Sequence, residues 1–148
     1  MIAALAVGLW ATQMSKDSLW KLPGTFLSFM ILGILFGVLG GVLPGVSMVV
    51  PLSVLVLGMM ILVSRKLNMN LALGMTACFA LFHGLSHGAE LAHVQGIWVS
   101  ATGLLATTAL LHGAGVGLGS IAEKARHIEL LKPAGAAIAI TGLLMLVL

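Results

Sequence analysis

An all-α fold, a polytopic integral membrane bundle of about six helices with the first one incomplete, is predicted by three features of this 148-residue sequence. Hydrophobic residues make up 60% of the chain and charged residues 7%, several-fold less charge than a soluble domain carries. Mean hydropathy is +1.19. The few charges are clustered, leaving uncharged stretches that can cross ~30 Å of hydrocarbon at about 1.5 Å per residue. The connecting loops are short, with no linker, low-complexity tract or internal repeat, so residues 1–148 read as a single transmembrane domain.

The first apolar stretch, Met1–Ser15, would form a helix of only about 22 Å. It reads as the second half of a membrane helix. It lacks the basic n-region and small-residue cleavage site of a secretory signal, so the natural chain is expected to start further upstream. Spans Leu22–Leu43 and Val46–Ser64 follow, then Leu67–Phe82 with a His-bearing continuation, then Val94–Ala122. The last, Pro133–Leu148, is short, but Leu130 and Leu131 lengthen it while Lys132 snorkels to the interface.

The basic residues fall on alternate loops. Lys16 and Lys21 belong to the first, Arg65 and Lys66 to the third, and Lys124, Arg126 and Lys132 to the fifth. The second loop, around Pro44-Gly45, and the fourth, Glu90–Gln95, have none. The positive-inside rule therefore predicts cytoplasmic first, third and fifth loops and both termini outside. The same distribution argues against nucleic acid as a partner, since the lysines and arginines form no stripe among aromatics. The single cysteine, Cys78, has no intrachain disulfide partner. Gly33, Gly37 and Gly41 recur every four residues on the second span, as do Gly113–Gly117 and Gly115–Gly119 on the fifth, a spacing that lets helix backbones pack closely.

The chemistry is concentrated on the fourth span, which reads Phe82-His83-Gly84-Leu85-Ser86-His87-Gly88-Ala89-Glu90 and continues to His93. With His83 at zero and 100° per residue, His87 falls at about +40° and Glu90 at about −20°, on one helix face, and His93 near −80°. Two imidazoles one turn apart and a carboxylate one turn further can converge on a divalent cation. Nitrogen and oxygen donors without thiolate suit nickel, cobalt or zinc better than Cu(I). Cys78 lies about 140° away and is not expected to be a ligand. Gly84 and Gly88 are expected to let another helix come close enough to add its own donors. His83 is roughly 24 Å along the span from its basic end, and ionisable groups at membrane depth are functional candidates. His112 on the fifth span is read either as a second ion station or as a core histidine bonded to a backbone carbonyl. His93 is read as interfacial, with a lesser role in metal capture, and Glu123, His127 and Glu129 as solvated loop residues.

The run Phe82–Glu90 resembles the signature of the HupE/UreJ family of nickel and cobalt permeases. Ala6–Ala11, Leu43–Val46, Leu52–Gly58 and Thr108–His112 resemble further family segments in the family's order. The resemblance implies a secondary permease carrying Ni²⁺ or Co²⁺ inward across a bacterial cytoplasmic membrane, linked to hydrogenase or urease maturation, with His83, His87 and Glu90 as metal residues. The ion is cargo, and no cofactor is implied. One departure is evident: the family's first-helix motif, His-Pro followed by a short spacer and Asp-His, is absent, and Met1 would correspond to a position inside that helix. The chain is thus expected to begin at an internal methionine or to be a shortened relative. A metal-binding or handover protein without transport is the second reading. An intramembrane metal-dependent hydrolase with Glu90 as general base ranks last, because no other carboxylate lies at membrane depth to replace Glu90 as a ligand.

Overall fold

In a bilayer each helix satisfies its own backbone, so the fold is decided by where small side chains let two helices approach. The computed structural model describes residues 1–148 apart from Val42, Arg65, Arg126 and the side chain of Ile128. Its helices are α1 (Ile2–Thr12), α2 (Ser18–Val38), α3 (Val46–Val63), α4 (Met69–Leu91), α5 (Ile97–Lys124) and α6 (Leu131–Val147), with a 3-10 turn at Ile128–Leu130, and the described residues include no strand. Helices α2 to α5 are long and apolar enough to cross a membrane, while α1 and α6 are shorter apolar helices. The protein is a multi-pass membrane protein.

Glycines zip the helices into three pairs. Helices α2 and α4 run parallel, Gly33 against Gly84 and Gly37 against Gly88. A Cβ added to Gly33 would lie 2.9 Å from the Gly84 Cα, and one on Gly37 would lie 3.0 Å from the Gly88 Cα. Helices α1 and α5 meet in the same way through Gly8 and Gly115, and Gly119 faces the Thr12 side chain. Helices α3 and α6 are antiparallel, Gly58 meeting Ala139 and Gly142 meeting Leu55. The four-residue glycine spacing of the sequence is thus used selectively. Gly33 and Gly37 pack on a partner backbone, Gly41 lies past the end of α2 against Phe36, and Gly113 and Gly117 face open space.

The short α1 is the hub of the bundle. Nine of its eleven residues are buried, and it packs on α2, α3, α5 and α6. At its end the buried Gln13 donates from Nε2 to the Ile61 carbonyl (3.1 Å) and to Ser64 Oγ (3.4 Å). The same Ile61 carbonyl, in the last turn of α3, also accepts from the Ser64 N–H and Oγ, each at 3.2 Å, so Gln13 ties α1 to an already capped helix end. Ser18 Oγ donates to the Ala11 carbonyl (2.8 Å) and the Lys21–Asp17 pair (3.0 Å) spans the first turn of α2. These local bonds start α2 at Ser18, earlier than the uncharged stretch from Leu22 indicates. It also stops at Val38 rather than Leu43, with Gly40 following at φ +83°.

Asn68 caps α4, its side-chain oxygen accepting the Asn70 N–H at 2.9 Å. Asn68→Ala is expected to lower stability by about 1 kcal/mol, read as a reduced melting temperature in detergent with metal binding retained.

Lys16, Lys66 and Lys124 line a single cleft of about 660 Å³. The first, third and fifth loops therefore share one end of the fold, called here the basic end.

Candidate metal centre

The rotation of α4 is set by Gly84 and Gly88, which must face α2 for the two backbones to touch. His83 and His87 each precede one of these glycines, so both are turned about 100° off that contact. They point with Glu90 into a cleft of about 400 Å³ that also borders α1, α3 and α6. A divalent ion with a shell of about six waters, at ~30 Å³ each, needs roughly 200 Å³. The cleft is large enough to admit it.

Along the motif the donors grade from core to surface. His83 is buried at 5% exposure, the His87 side chain is 26% exposed and that of Glu90 70%. His83 Nδ1 lies 2.9 Å from the Phe79 carbonyl. A carbonyl only accepts, so Nδ1 carries the hydrogen and Nε2 keeps its lone pair in the neutral ring. His87 Nδ1 lies 3.3 Å from Glu90 Oε2 and by the same argument donates to the carboxylate. An imidazole whose one nitrogen is anchored to an oxygen has its other nitrogen fixed in tautomer and direction, as metal-binding histidines generally do.

The three residues share a cleft but are not closed into a cage: among the described residues no three His, Cys, Asp or Glu side chains are grouped to hold one ion. The approach that Gly84 and Gly88 were expected to permit does occur, but what α2 brings there is Gly33 and Gly37, not further donors.

The family model described as HupE / UreJ protein matches residues 1–145. The chain belongs to the HupE/UreJ family. It is also 33% identical over 147 residues to Protein HupE of Rhizobium leguminosarum bv. viciae, a match covering 99% of this chain and 77% of that protein. No solved structure matches it.

In this HupE/UreJ protein the other sequence candidates separate cleanly. His93 lies in the turn after α4 and is exposed, as are Glu123 and His127, and Glu129 pairs with Lys132 at 2.5 Å. Cys78 is exposed and is not among the residues lining the motif cleft. His112 is buried at 2% exposure, with Nδ1 2.8 Å from the Thr108 carbonyl, while its Nε2 is buried without a partner among the described residues. Of the two readings the sequence left for His112, the structure shows the core histidine bonded to a backbone carbonyl.

Sequence reasoning missed Phe26, which packs on both buried histidines, and Met145, which borders the motif cleft. Neither carries a spacing signal, since each reaches the histidines across helices.

Proposed function

We propose that this protein is a secondary permease that takes up Ni²⁺ or Co²⁺ across a bacterial cytoplasmic membrane, with His83, His87 and Glu90 capturing the ion. The observation that carries this reading is the common cleft of His83, His87 and Glu90, in which each imidazole is anchored through Nδ1. Such an arrangement suits an ion that must enter and leave. A graded line of donors binds through a few protein atoms plus retained water, whereas a closed cage would hold the ion. Nitrogen and carboxylate donors match the preference of Ni²⁺ and Co²⁺.

The gathering of the basic loops at one end supports a cytoplasmic position for that end by the positive-inside rule, with the motif cleft opening outside. Membership of a family described by the names HupE and UreJ supports a supply role for hydrogenase or urease maturation. The openness of the Glu90 end favours the second reading, a protein that binds metal and hands it over without transport.

Titration of the purified protein with Co²⁺, followed by the visible ligand-field bands, tests the site. Histidine ligation of wild type and its loss in His87→Ala are expected, and identical spectra for the two would reject the assignment. His93→Ala, at the exposed mouth, is expected to reduce metal accumulation only at low external metal, raising the half-saturating concentration without changing the maximal rate.

A further inference from the structure

We infer that Phe26 is a gate between two imidazole stations, His83 and His112, and that an ion leaving the motif cleft passes this ring to reach the basic end. The inference rests on the permease reading and adds to it a second station and a barrier.

Phe26 is buried on α2. Its ring centroid lies 5.8 Å from that of His83 on α4 and 5.0 Å from that of His112 on α5. Both imidazoles are bonded through Nδ1 to the carbonyl four residues earlier on their own helix, so each keeps Nε2 for an acceptor role. At His112 that nitrogen is buried without a partner among the described residues. A buried lone pair without a protein partner is unfavourable unless something uses it, which sets His112 apart from an ordinary core histidine.

The space around the ring is divided. On one side a constriction of about 10 Å³ is lined by Phe26, His83, His87 and Thr108. On the other a cleft of about 530 Å³ is bordered by His112 and extends to Leu19 and Trp20. Those two residues also border the basic-end cleft. Phe26 and Thr108 border the constriction, and His112, one turn beyond Thr108, borders the far cleft. The phenyl ring thus stands where the two spaces would otherwise join. It has no donor to trap an ion, and its π face attracts a passing cation.

Thiol accessibility tests the gate without requiring transport. In a Cys78→Ala background, which removes the exposed native thiol, His112→Cys is probed in oriented vesicles with a small, membrane-impermeant methanethiosulfonate. Labelling from the basic face alone is expected with Phe26 in place. With Phe26→Ala, labelling from the motif face is expected to rise at least tenfold. Phe26→Val, which keeps part of the core filled, is expected to shift labelling in the same direction should the alanine variant not fold. Unchanged sidedness in the folded variant, or no labelling from either face, would overturn the gate.

Co²⁺ flux into liposomes separates this outcome from the parent reading. His112→Ala is expected to retain Co²⁺ binding at the motif cleft while lowering flux tenfold or more. Wild-type flux in His112→Ala overturns the second station alone, whereas absence of flux in wild type rejects the permease and leaves the gate to the labelling result.

Discussion

His87→Ala is expected to bring nickel and cobalt accumulation down to the empty-vector level in cells expressing the protein at matched amounts. His87 is the imidazole that is both reachable from the cleft and anchored by Glu90, at 3.3 Å. Its removal leaves His83 deeper in the core and Glu90 without its neighbour, so an arriving ion loses the donor that would draw it inward. Glu90→Gln keeps a hydrogen-bond acceptor but loses the negative charge, and is expected to weaken metal affinity by ~10–100-fold, the range for loss of a partner that orients a ligand. Metal content of washed cells, measured by mass spectrometry, reads both. Wild-type accumulation by His87→Ala would remove His87 from the path.

Gly84→Leu is expected to prevent recovery of folded, monodisperse protein. A Cβ at this position would meet Gly33 Cα and Ile34 N, each at 2.9 Å, and would collide with the Met30 carbonyl. All three obstacles are backbone, so no rotamer change relieves them. The helices must separate, and the loss is expected to exceed the ~1–3 kcal/mol of ordinary core overpacking. Gly74 and Gly103 meet nothing within 4 Å. Alanine at either is expected to change stability by less than about 1 kcal/mol, with the helix propensity of alanine acting in its favour. Thermal unfolding in detergent distinguishes the sets, and a Gly84→Leu protein as stable as Gly74→Ala would mean that α2 and α4 do not pack as described.

The contrast between these glycines marks what the sequence could reveal. The spans were legible because charge is expensive in hydrocarbon and therefore collects at helix ends. Lys16, Lys66 and Lys124 accordingly lie together at one end of the fold. The expected depth of His83 rests on the same reasoning, through its distance along α4 from the charged loop. Burial within the bundle was not legible. Apolar composition does not distinguish a helix facing lipid from one facing protein, so the shortness of α1 was legible while the burial of nine of its eleven residues was not. Glycine spacing showed that close approach occurs, but not with which partner. Gly33 and Gly37 find α4, while Gly113 and Gly117, equally well spaced, face open space. At the site, helical periodicity placed His83, His87 and Glu90 on one face, and they do border one cleft. The contribution of Phe26 depends on contacts between α2, α4 and α5, which periodicity along a single helix does not encode.

The central claim is transport, and the most direct measurement is Co²⁺ entry into liposomes containing only this purified protein, followed by a metal-quenched dye trapped inside. The permease reading predicts saturable entry above that of protein-free liposomes, abolished by His87→Ala. Co²⁺ binding by the same preparation without entry into the vesicles would contradict it and leave metal handover as the function of the His83–Glu90 cleft.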